Sequence, residues 1–441
     1  MISQFKHSCI ILNSRKFKNN VDILIVVKHD ILYTTKMDFD SKYCGLVGDS
    51  GKGEGGLLYF RPMGKDHMNK TAGQERVQRV LDLAHIQING DKPWDIQVRN
   101  KMFYQRVLAG GSLALGESYM DGWWDCEALD QFFARILKAR LDKNVRRTRR
   151  ALQAILKAKI AMGQQISKAY EIGKRHYDIG NDLFAVMLDK RMNYSCAYWN
   201  KAKNLDDAQE AKLDLVCRKV GLSPGMSVLD IGCGWGGLAK FAAERYGVKV
   251  LGITVSREQV EYAKTYCHGL PVEIRFQDYR ELSGVFDRII SIGMFEHVGS
   301  KKYRTYMKAV DRCLAPDGLF LLHTIAGNTS VASTDPWIGK HIFPNSMLPS
   351  AKQITSAAEG LFVIEDWHSF GPHYDTTLMA WHHNFKKHWN KVRDAYDERF
   401  YRMWSYYLLS CAGSFRARRN QLWQIVFSKD GVKWGYKSIR E

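Results

Sequence analysis

An apolar strand that runs into a glycine-rich turn is the feature of this sequence with the clearest chemical meaning. Residues 228–231 have the apolar character of a buried strand, and residues 232–237 contain four glycines. Glycines let the backbone approach a ligand closely, and ligands of parallel sheets bind beyond the carboxyl ends of the strands. The pattern therefore predicts a nucleotide-like cofactor at this turn. The candidate cofactor residues here are Asp230, Gly232, Gly234 and Gly236.

The region after the turn distinguishes between two kinds of cofactor. A dinucleotide site has an acidic residue about twenty positions further on, which binds the ribose hydroxyls. Residues 252–256 read Gly-Ile-Thr-Val-Ser and contain no acid. The run from Asp230 to Gly234 also resembles the first motif of class I methyltransferases. We therefore expect S-adenosylmethionine rather than NAD.

Short apolar segments alternate with helical patterns from about residue 220 onwards. Strands are predicted at 227–231, 249–254, 272–277, 286–294, 318–325 and 422–427, and helices at 238–246, 303–314, 374–391 and 396–418. A further helix begins at Ser256, which with Gln259 fits a capping box. This alternation is typical of an α/β fold whose Rossmann-like parallel sheet carries helices on both faces.

Six further short motifs follow or precede the glycine turn in a characteristic order. They cover residues 194–199, 277–280, 293–299, 321–325, 374–381 and 411–418. Together with the turn they resemble the cyclopropane-fatty-acyl-phospholipid synthase family, relatives of the mycolic acid cyclopropane synthases. The resemblance runs from about residue 75 to residue 437, and several motifs in the right order make it more specific than any single motif.

The resemblance implies that S-adenosylmethionine and a bicarbonate ion bind in one site. The residues that match the cofactor positions of the family are Tyr194, Ser195, Gly232, Gly234, Thr254, Gln259, Tyr279 and Arg280. The residues that match its bicarbonate ligands are Cys196, Glu296, His323, the backbone of Ile325, and Tyr374. Cys411 matches a position treated as an active-site cysteine, although a small buried apolar residue is the alternative role for it.

The reaction implied by the resemblance is methyl transfer to the cis double bond of an unsaturated phospholipid acyl chain, followed by closure of a cyclopropane ring. Methylation of an alkene leaves a carbocation, and ring closure removes a proton from the new methyl group. The site must therefore provide a base, stabilise positive charge and exclude water. We expect bicarbonate to be the base, and the candidate catalytic residues are Cys196, Glu296, His323, Tyr374 and Cys411.

The chain is strongly basic, with 65 Lys and Arg against 46 Asp and Glu and a net charge of +19. Much of this charge lies in residues 138–176, which hold twelve basic residues and two acidic ones. Within it Val145, Leu152 and Leu156 share one helix face. A basic amphipathic helix of this kind is typical of a membrane-surface element, and a solvated linker helix is the alternative.

Other features bear on the location and assembly of the protein. No stretch approaches the roughly 18–20 apolar residues of a membrane span, and no secretory signal is evident. We expect a cytoplasmic protein that associates peripherally with the inner face of the cell membrane. The nine cysteines include no C-x-x-C, so disulfides and metal sites are poorly supported. The resemblance implies a homodimer.

Four segments are predicted along the chain. Residues 1–70 read as a poorly ordered tail, 71–137 as a small mixed α/β domain, 138–176 as the basic helical linker and 177–441 as the catalytic domain. In the small domain we predict a helix at 74–86, a short strand at 96–98 and a turn at Gly110-Gly111.

Three alternative functions remain open at this point. A nucleic-acid methyltransferase suits the charge, but the Asn/Asp-Pro-Pro-aromatic motif for a flipped base is missing from the sequence, so no nucleic-acid partner is expected. A non-catalytic lipid-surface protein is disfavoured by the intact set of site residues. The nearest alternative is methylation without ring closure, or with capture of the cation by water.

Overall fold

The computed structural model describes residues 73–140 and 180–440, and the backbone of several elements before residue 73. The chain divides into two units, residues 1–64 and residues 65–441. The described part of the first unit is an antiparallel sheet in which three short strands pair with a central one. These strands are β1 (Ile10–Ile11), β2 (Lys16–Phe17), β3 (Asn20–Val26) and β4 (Tyr33–Met37). The sequence did not predict them, and the four segment boundaries stay predictions.

The second unit begins with a small group of helices and short strands. They are α1 (Lys70–Asp82), β5 (Gln97–Val98), α2 (Phe103–Met120), β6 (Trp124–Asp125) and α3 (Leu129–Lys138). The predicted first helix and short strand are found, with shifted ends. The predicted turn at Gly110-Gly111 is found as a kink within α2, where Gly111 adopts a non-helical φ of 58° and ψ of −137° between two helical segments.

Seven strands of the part described from residue 180 onwards form one sheet. They are β7 (Ser227–Ile231), β8 (Lys249–Thr254), β9 (Val272–Phe276), β10 (Phe286–Ile292), β11 (Leu314–Gly327), β12 (Val363–Ser369) and β13 (Asn420–Ser428). Their order is β12-β13-β11-β10-β7-β8-β9. Strand β13 is antiparallel to both of its neighbours, and the other pairs are parallel. All six predicted strands are found, and β12 was missed.

Nine α-helices accompany this sheet in the same described part. They are α4 (Asn181–Met187), α5 (Leu205–Lys219), α6 (Gly237–Tyr246), α7 (Arg257–Tyr266), α8 (Tyr303–Cys313), α9 (Pro336–His341), α10 (Ala351–Ala358), α11 (Pro372–His388) and α12 (Glu398–Arg416). The predicted helices correspond to α6, α7, α8, α11 and α12.

The sheet has an apolar core on each face because successive side chains of a strand point to opposite sides. Val228 of β7 packs with residues of α5 and α6, such as Val216 and Phe241. Its neighbour Leu229 packs on the other face with residues of α8 and α10, such as Val310 and Ile354. The predicted α/β architecture with helices on both faces is confirmed.

The small N-terminal group packs against helix α12. Arg402 of α12 donates through Nη2 to the carbonyl oxygen of Trp124 at 2.9 Å and to the carboxylate of Asp125 at 2.8 Å. Arg416, near the end of α12, donates to Asp130 of α3 and, through Nε at 2.8 Å, to Asp375 of α11. The same arginine therefore links the small group to α11, which carries Tyr374.

Most of the basic stretch 138–176 lies outside the described residues, so its amphipathic helix stays a prediction. Among the residues that the structure describes, no helix combines the length and the apolar character needed to cross a membrane.

Candidate active site

The glycine-rich turn joins the end of β7 to the start of α6. The amides of Gly232 and Cys233 both donate to the carbonyl oxygen of Ile253, at 2.9 and 3.0 Å, which fixes the turn against β8. Gly232 has a φ of 88°, and a Cβ atom there would lie 2.9 Å from the Cβ of Met294. A side chain at this position would be both strained and obstructed. The turn can therefore bring its backbone close to a ligand.

A cavity opens at the carboxyl ends of the neighbouring strands β7, β8 and β10. The predicted cofactor residues that line it are Tyr194, Ser195, Asp230, Gly232, Gly234, Thr254, Gln259, Tyr279 and Arg280. The predicted Gly236, immediately before α6, does not line the cavity, whereas Gly237, the first residue of α6, does. Several polar residues that also line the cavity were not predicted from the sequence: Asn193, Lys212, Gln277, Asp278, His297 and Lys302.

Asp230 and Lys212 are two buried charged residues at the floor of this cavity. The Oδ2 atom of Asp230 has no hydrogen-bond partner in the described part of the chain. Burial raises the pKa of Asp230 to about 7, although the nearby Lys212 ammonium acts in the opposite direction. Burial also lowers the pKa of Lys212 to about 8, against the attraction of Asp189 and other groups. Burial therefore disfavours the charged form of both side chains. Such shifted pKa values are common at functional sites.

Lys212 reaches the cavity from α5 and holds the segment that carries Tyr194 and Ser195. Its Nζ donates to Ser195 Oγ at 2.9 Å and to Asn193 Oδ1 at 3.2 Å. Gln209, one turn earlier on α5, donates to the carbonyl oxygen of Ser195 at 2.8 Å. A lysine inside an ordinary helix gives no sequence signal for such a role, and only the fold reveals it.

Thr254 and Gln259 line one side of the cavity, and Ser256 lies between them in the chain. The hydroxyl oxygen of Ser256 accepts from the amide of Gln259 at 3.3 Å, so Ser256 caps α7 as predicted. In a full capping box the Gln259 side chain would also accept from the amide of Ser256. Here its oxygen accepts from the Thr254 hydroxyl at 2.7 Å instead. After the adjacent strand β9, Arg280 donates to both carboxylate oxygens of Asp278, at 2.7 and 2.8 Å.

Glu296 follows β10 and turns its carboxylate toward β11. Its Oε1 accepts from the amide of Ile325 at 2.6 Å. Its Oε2 is buried without a partner among the described residues. Burial raises the pKa of Glu296 to about 7, and the Ile325 amide acts against this rise. One carboxylate oxygen is thus anchored, and the other is available to a ligand or a proton.

His323 lies two residues before Ile325 on β11. Its Nδ1 is 3.2 Å from the side-chain nitrogen of Gln424 on β13. Its Nε2 is buried and has no partner in the described part of the chain. Burial lowers the pKa of His323 well below its usual value, and the charges of Lys212 and Lys219 add to this effect. The ring is therefore neutral, with one nitrogen oriented by Gln424 and the other free.

Cys196 and Tyr374 are buried near these two groups. The thiol of Cys196 lies 4.0 Å from the hydroxyl of Thr377. The Tyr374 ring packs on Phe415 and Trp381, with centroids 4.7 and 5.9 Å apart. Burial holds the pKa of Tyr374 well above its usual value, and the charges of Cys196, Tyr194 and Glu296 contribute to the rise. Tyr374 therefore keeps its proton and can act as a hydrogen-bond donor.

Aromatic rings connect the cofactor cavity with this polar group. The Tyr194 hydroxyl shares a 2.8 Å hydrogen bond with that of Tyr407 on α12. The Tyr194 ring lies against Trp381 at 5.2 Å, and Trp381 in turn contacts Tyr374. Faces of Tyr and Trp rings attract a cation by about 0.5–2 kcal/mol each. The arrangement can stabilise positive charge beside a buried carboxylate and a neutral imidazole.

Cys411 lies on α12, one turn after Tyr407. Burial raises the pKa of its thiol to about 12. A thiol with this pKa is protonated at neutral pH and is a poor nucleophile. The raised pKa favours the packing role for this half-buried thiol, and a part for Cys411 in the reaction stays a prediction.

The comparison with known proteins identifies the family to which this site belongs. Residues 164–425 match the family model described as mycolic acid cyclopropane synthetase. The chain belongs to this family. It is 54% identical over 361 residues to the cyclopropane-fatty-acyl-phospholipid synthase of Escherichia coli strain K12, an alignment that covers 82% of this chain and 94% of that protein. The predicted family resemblance is confirmed.

More distant relatives and solved structures agree with this membership. A probable fatty acid methyltransferase of Pseudomonas putida is 37% identical over 58% of this chain and 68% of its own length. The structure of the cyclopropane synthase MmaA2 from Mycobacterium tuberculosis is 32% identical with a TM-score of 0.56, and the match covers 59% of this chain and 98% of that one. The mycolic acid cyclopropane synthase CmaA1, solved with SAH and CTAB, is 31% identical with the same TM-score and the same coverage.

Proposed function

We infer that the protein is a methyltransferase that uses S-adenosylmethionine to convert the cis double bond of unsaturated phospholipid acyl chains into a cyclopropane ring. The observation that carries this inference is the pair of buried, unpartnered atoms, Glu296 Oε2 and His323 Nε2. Neither residue lines the cavity, but Glu296 lies between the lining residues Met294 and His297 in the chain, and the amide of the lining residue Gly293 donates to the carbonyl oxygen of His323 at 2.9 Å. The chain shares 54% identity with a protein of this named activity. We therefore assign the removal of a proton to the site of these two atoms.

The residues of the cavity fit S-adenosylmethionine. The glycine turn leaves room for close approach, and the unpartnered Oδ2 of Asp230 can accept a hydrogen bond from a polar group of the cofactor. Tyr194, Ser195 and Gln259 supply further polar contacts along its walls. When bound, S-adenosylmethionine supplies an electrophilic methyl group. The solved relative CmaA1 contains SAH, the demethylated form of this cofactor.

The residues beside the cavity fit a bicarbonate ion. Glu296 Oε2 can accept a hydrogen bond from a hydroxyl, whereas Tyr374 can donate one. When bound, bicarbonate would supply a base for the proton of the new methyl group. The amide of Ile325, predicted as a ligand, already donates to Glu296 Oε1 at 2.6 Å. We therefore assign Ile325 an indirect role, in which it holds the Glu296 carboxylate.

The side chains themselves perform the rest of the chemistry. Tyr194, Trp381 and Tyr374 offer their faces to the cationic acyl chain. Water is excluded because Glu296, His323 and Tyr374 are all buried. Exclusion of water prevents capture of the cation and strengthens each electrostatic contact. A raised pKa also allows Glu296 to hold a proton and release it near neutral pH.

We also propose that the protein acts at the cytoplasmic face of the membrane as a peripheral homodimer and takes no nucleic-acid partner. The strongly basic stretch 138–176 supports attraction to anionic lipid. Charge reversal of Arg146, Arg147 and Arg150 to Glu should weaken sedimentation with anionic vesicles, and unchanged binding would refute this role. For a dimer, light scattering should give a molecular mass twice that of one chain.

The reaction is tested by mass spectrometry of acyl chains. The purified protein is incubated with S-adenosylmethionine, bicarbonate and vesicles of cis-unsaturated phospholipid. The expected product gains one methylene group and loses its double bond, and fragmentation confirms the ring. A methyl-branched chain would instead support plain methylation, the activity closest to the name of the Pseudomonas putida relative. No lipid product at all would overturn the assignment of the substrate.

A further inference from the structure

Residues 436–440, which we name the clasp, form a segment without regular secondary structure. The Arg440 guanidinium donates to both carboxylate oxygens of Asp366, each at 2.6 Å. The Ser438 hydroxyl donates to the same carboxylate at 2.9 Å. The Tyr436 hydroxyl donates to the carbonyl oxygen of Lys219 at 2.8 Å. The clasp is thus bound to β12 and to the end of α5.

The carboxylate that receives the clasp is itself buried. Asp366 is 6% exposed on β12, and the ammonium of the fully buried Lys219 lies 3.8 Å from it. The same ammonium lies 2.9 Å from Nδ1 of His368. Bidentate arginine–carboxylate pairs are strong and geometrically specific, especially when partly buried. This makes the position of Arg440 well defined.

The clasp is also bonded to Tyr198, whose hydroxyl donates to the carbonyl oxygen of Arg440. The Tyr198 ring packs against Phe370 and His373, with centroids 5.3 and 5.1 Å apart. Phe370 in turn packs edge-on against the ring of His323 at 6.0 Å. One path of contacts therefore leads from the clasp to the back of His323.

A second path runs along the chain from Tyr198 to the cofactor cavity. The amides on either side of Tyr198 are both fixed, since Ala197 donates to Thr377 Oγ1 at 3.1 Å and Trp199 donates to His373 Nδ1 at 3.0 Å. Cys196 precedes them, and Tyr194 and Ser195 line the cavity. A movement of Tyr198 would therefore displace residues of both parts of the site.

We propose that the clasp positions residues 194–199 and His323 for catalysis, with Arg440 and Tyr198 as positioning residues outside the cavity. The catalytic consequence rests on the function proposed above. Displacement of reacting groups by about 1 Å can lower a rate by about a hundredfold. The contacts of the clasp lie outside the reacting site, but they affect the positions of the residues that form it.

Turnover measurements on Arg440→Ala, Tyr198→Phe and the double variant test the proposal. Each single change should lower kcat by about tenfold with the KM for S-adenosylmethionine within about twofold. The double variant should be no slower than the slower single one, because both changes break the same link. Arg440→Lys should recover part of the rate. The exposed Lys437→Ala in the same segment is the matched control. Unchanged kcat in the single variants, or effects that multiply in the double variant, would overturn the proposal.

Hydrogen–deuterium exchange tests the positioning role without any turnover. The amides of Ala197 and Trp199 should exchange about tenfold faster in Arg440→Ala and Tyr198→Phe than in the unaltered protein, whereas Lys437→Ala should leave them unchanged. Protected amides in both variants would refute the clasp. If the unaltered protein forms no ring product, the proposed function fails, and the exchange result still decides the role of the clasp.

Discussion

The side-chain nitrogen of Gln424 lies 3.2 Å from Nδ1 of His323, and the two residues are direct partners across β11 and β13. In this orientation of the amide, whose own oxygen is buried without a partner among the described residues, the nitrogen donates and Nδ1 accepts. The single proton of the neutral ring is then on Nε2, which is buried and unpartnered. Gln424 thereby makes His323 a hydrogen-bond donor toward the site.

Gln424→Glu is expected to reverse this tautomer. A carboxylate at position 424 accepts from Nδ1–H, so the proton leaves Nε2 and the ring can no longer donate into the site. Turnover should fall by about tenfold to a hundredfold, measured as kcat with unsaturated phospholipid vesicles. Gln421→Glu on the same strand is the control for a new carboxylate, since it keeps the acceptor for the Arg418 guanidinium at 2.8 Å and loses only the bond from its own nitrogen to the Arg418 carbonyl oxygen. Full activity of Gln424→Glu would show that the tautomer does not matter.

Lys212→Met is expected to weaken binding of the cofactor. The substitution keeps the length of the side chain but removes the donor to Ser195 and Asn193, and it leaves the Asp230 carboxylate without its nearby positive charge. The Kd for S-adenosylhomocysteine should rise by about tenfold, which is about the effect of one charge-assisted hydrogen bond. Calorimetric titration measures it, with the exposed Lys249→Met as the control. An unaltered Kd would contradict the role given to Lys212.

Glu296→Gln is expected to change the pH dependence of stability. Burial raises the pKa of Glu296 in the folded protein to about 7 from an ordinary 4.5. The carboxyl group therefore contributes fully to stability below the pKa of the unfolded state, and this contribution is lost as pH rises through about 7. Glutamine stays neutral and can still accept from the Ile325 amide. The variant should therefore exceed the unaltered protein in unfolding free energy at pH 8 by about 1–3 kcal/mol, and the gap should close toward pH 4.5.

Urea unfolding at the two pH values in bicarbonate-free buffer measures this difference. The exposed Glu281→Gln serves as the control for loss of a carboxylate at the surface. A constant difference across the pH range would mean that the Glu296 carboxyl does not titrate near neutral pH.

Cys411→Ala is expected to leave turnover within about threefold of the unaltered rate, because the half-buried thiol packs as a small apolar residue. Burial raises the pKa of this thiol to about 12, so alkylation by iodoacetamide at neutral pH should also be slow. The rates of turnover and of thiol modification check the two statements. A loss of turnover of a hundredfold or more would restore Cys411 to the chemistry.

Those parts of the site whose residues lie close together in the chain could be predicted from the sequence. The strand, the glycine turn and α6 are consecutive, so their pattern contains the whole structural unit. Ser256 before α7 is a similar local signal. Glu296 and His323 required the family resemblance, because they meet only through the pairing of β10 with β11. Ile292 is the register partner of His323 and lies four residues before Glu296.

Other features depend on contacts that no local pattern contains. Lys212 acts on Ser195, 17 positions away, and Gln424 acts on His323, 101 positions away. Strand β12 was missed because its sequence mixes acidic, aromatic and small polar residues, as an edge strand with partly exposed faces permits. The Gly110-Gly111 pair, by contrast, is a further local signal, since the predicted turn corresponds to the kink at Gly111 where two helical segments of α2 meet.

The central claim is that the protein removes a proton from the transferred methyl group at the site of Glu296 and His323. The most direct test uses S-adenosylmethionine with a fully deuterated methyl group and follows the lipid product by mass spectrometry. The account predicts a ring that keeps two of the three deuterons in the unaltered protein, and loss of that product in Glu296→Ala with cofactor still bound. A product that retains all three deuterons, or undiminished ring formation in Glu296→Ala, would contradict it.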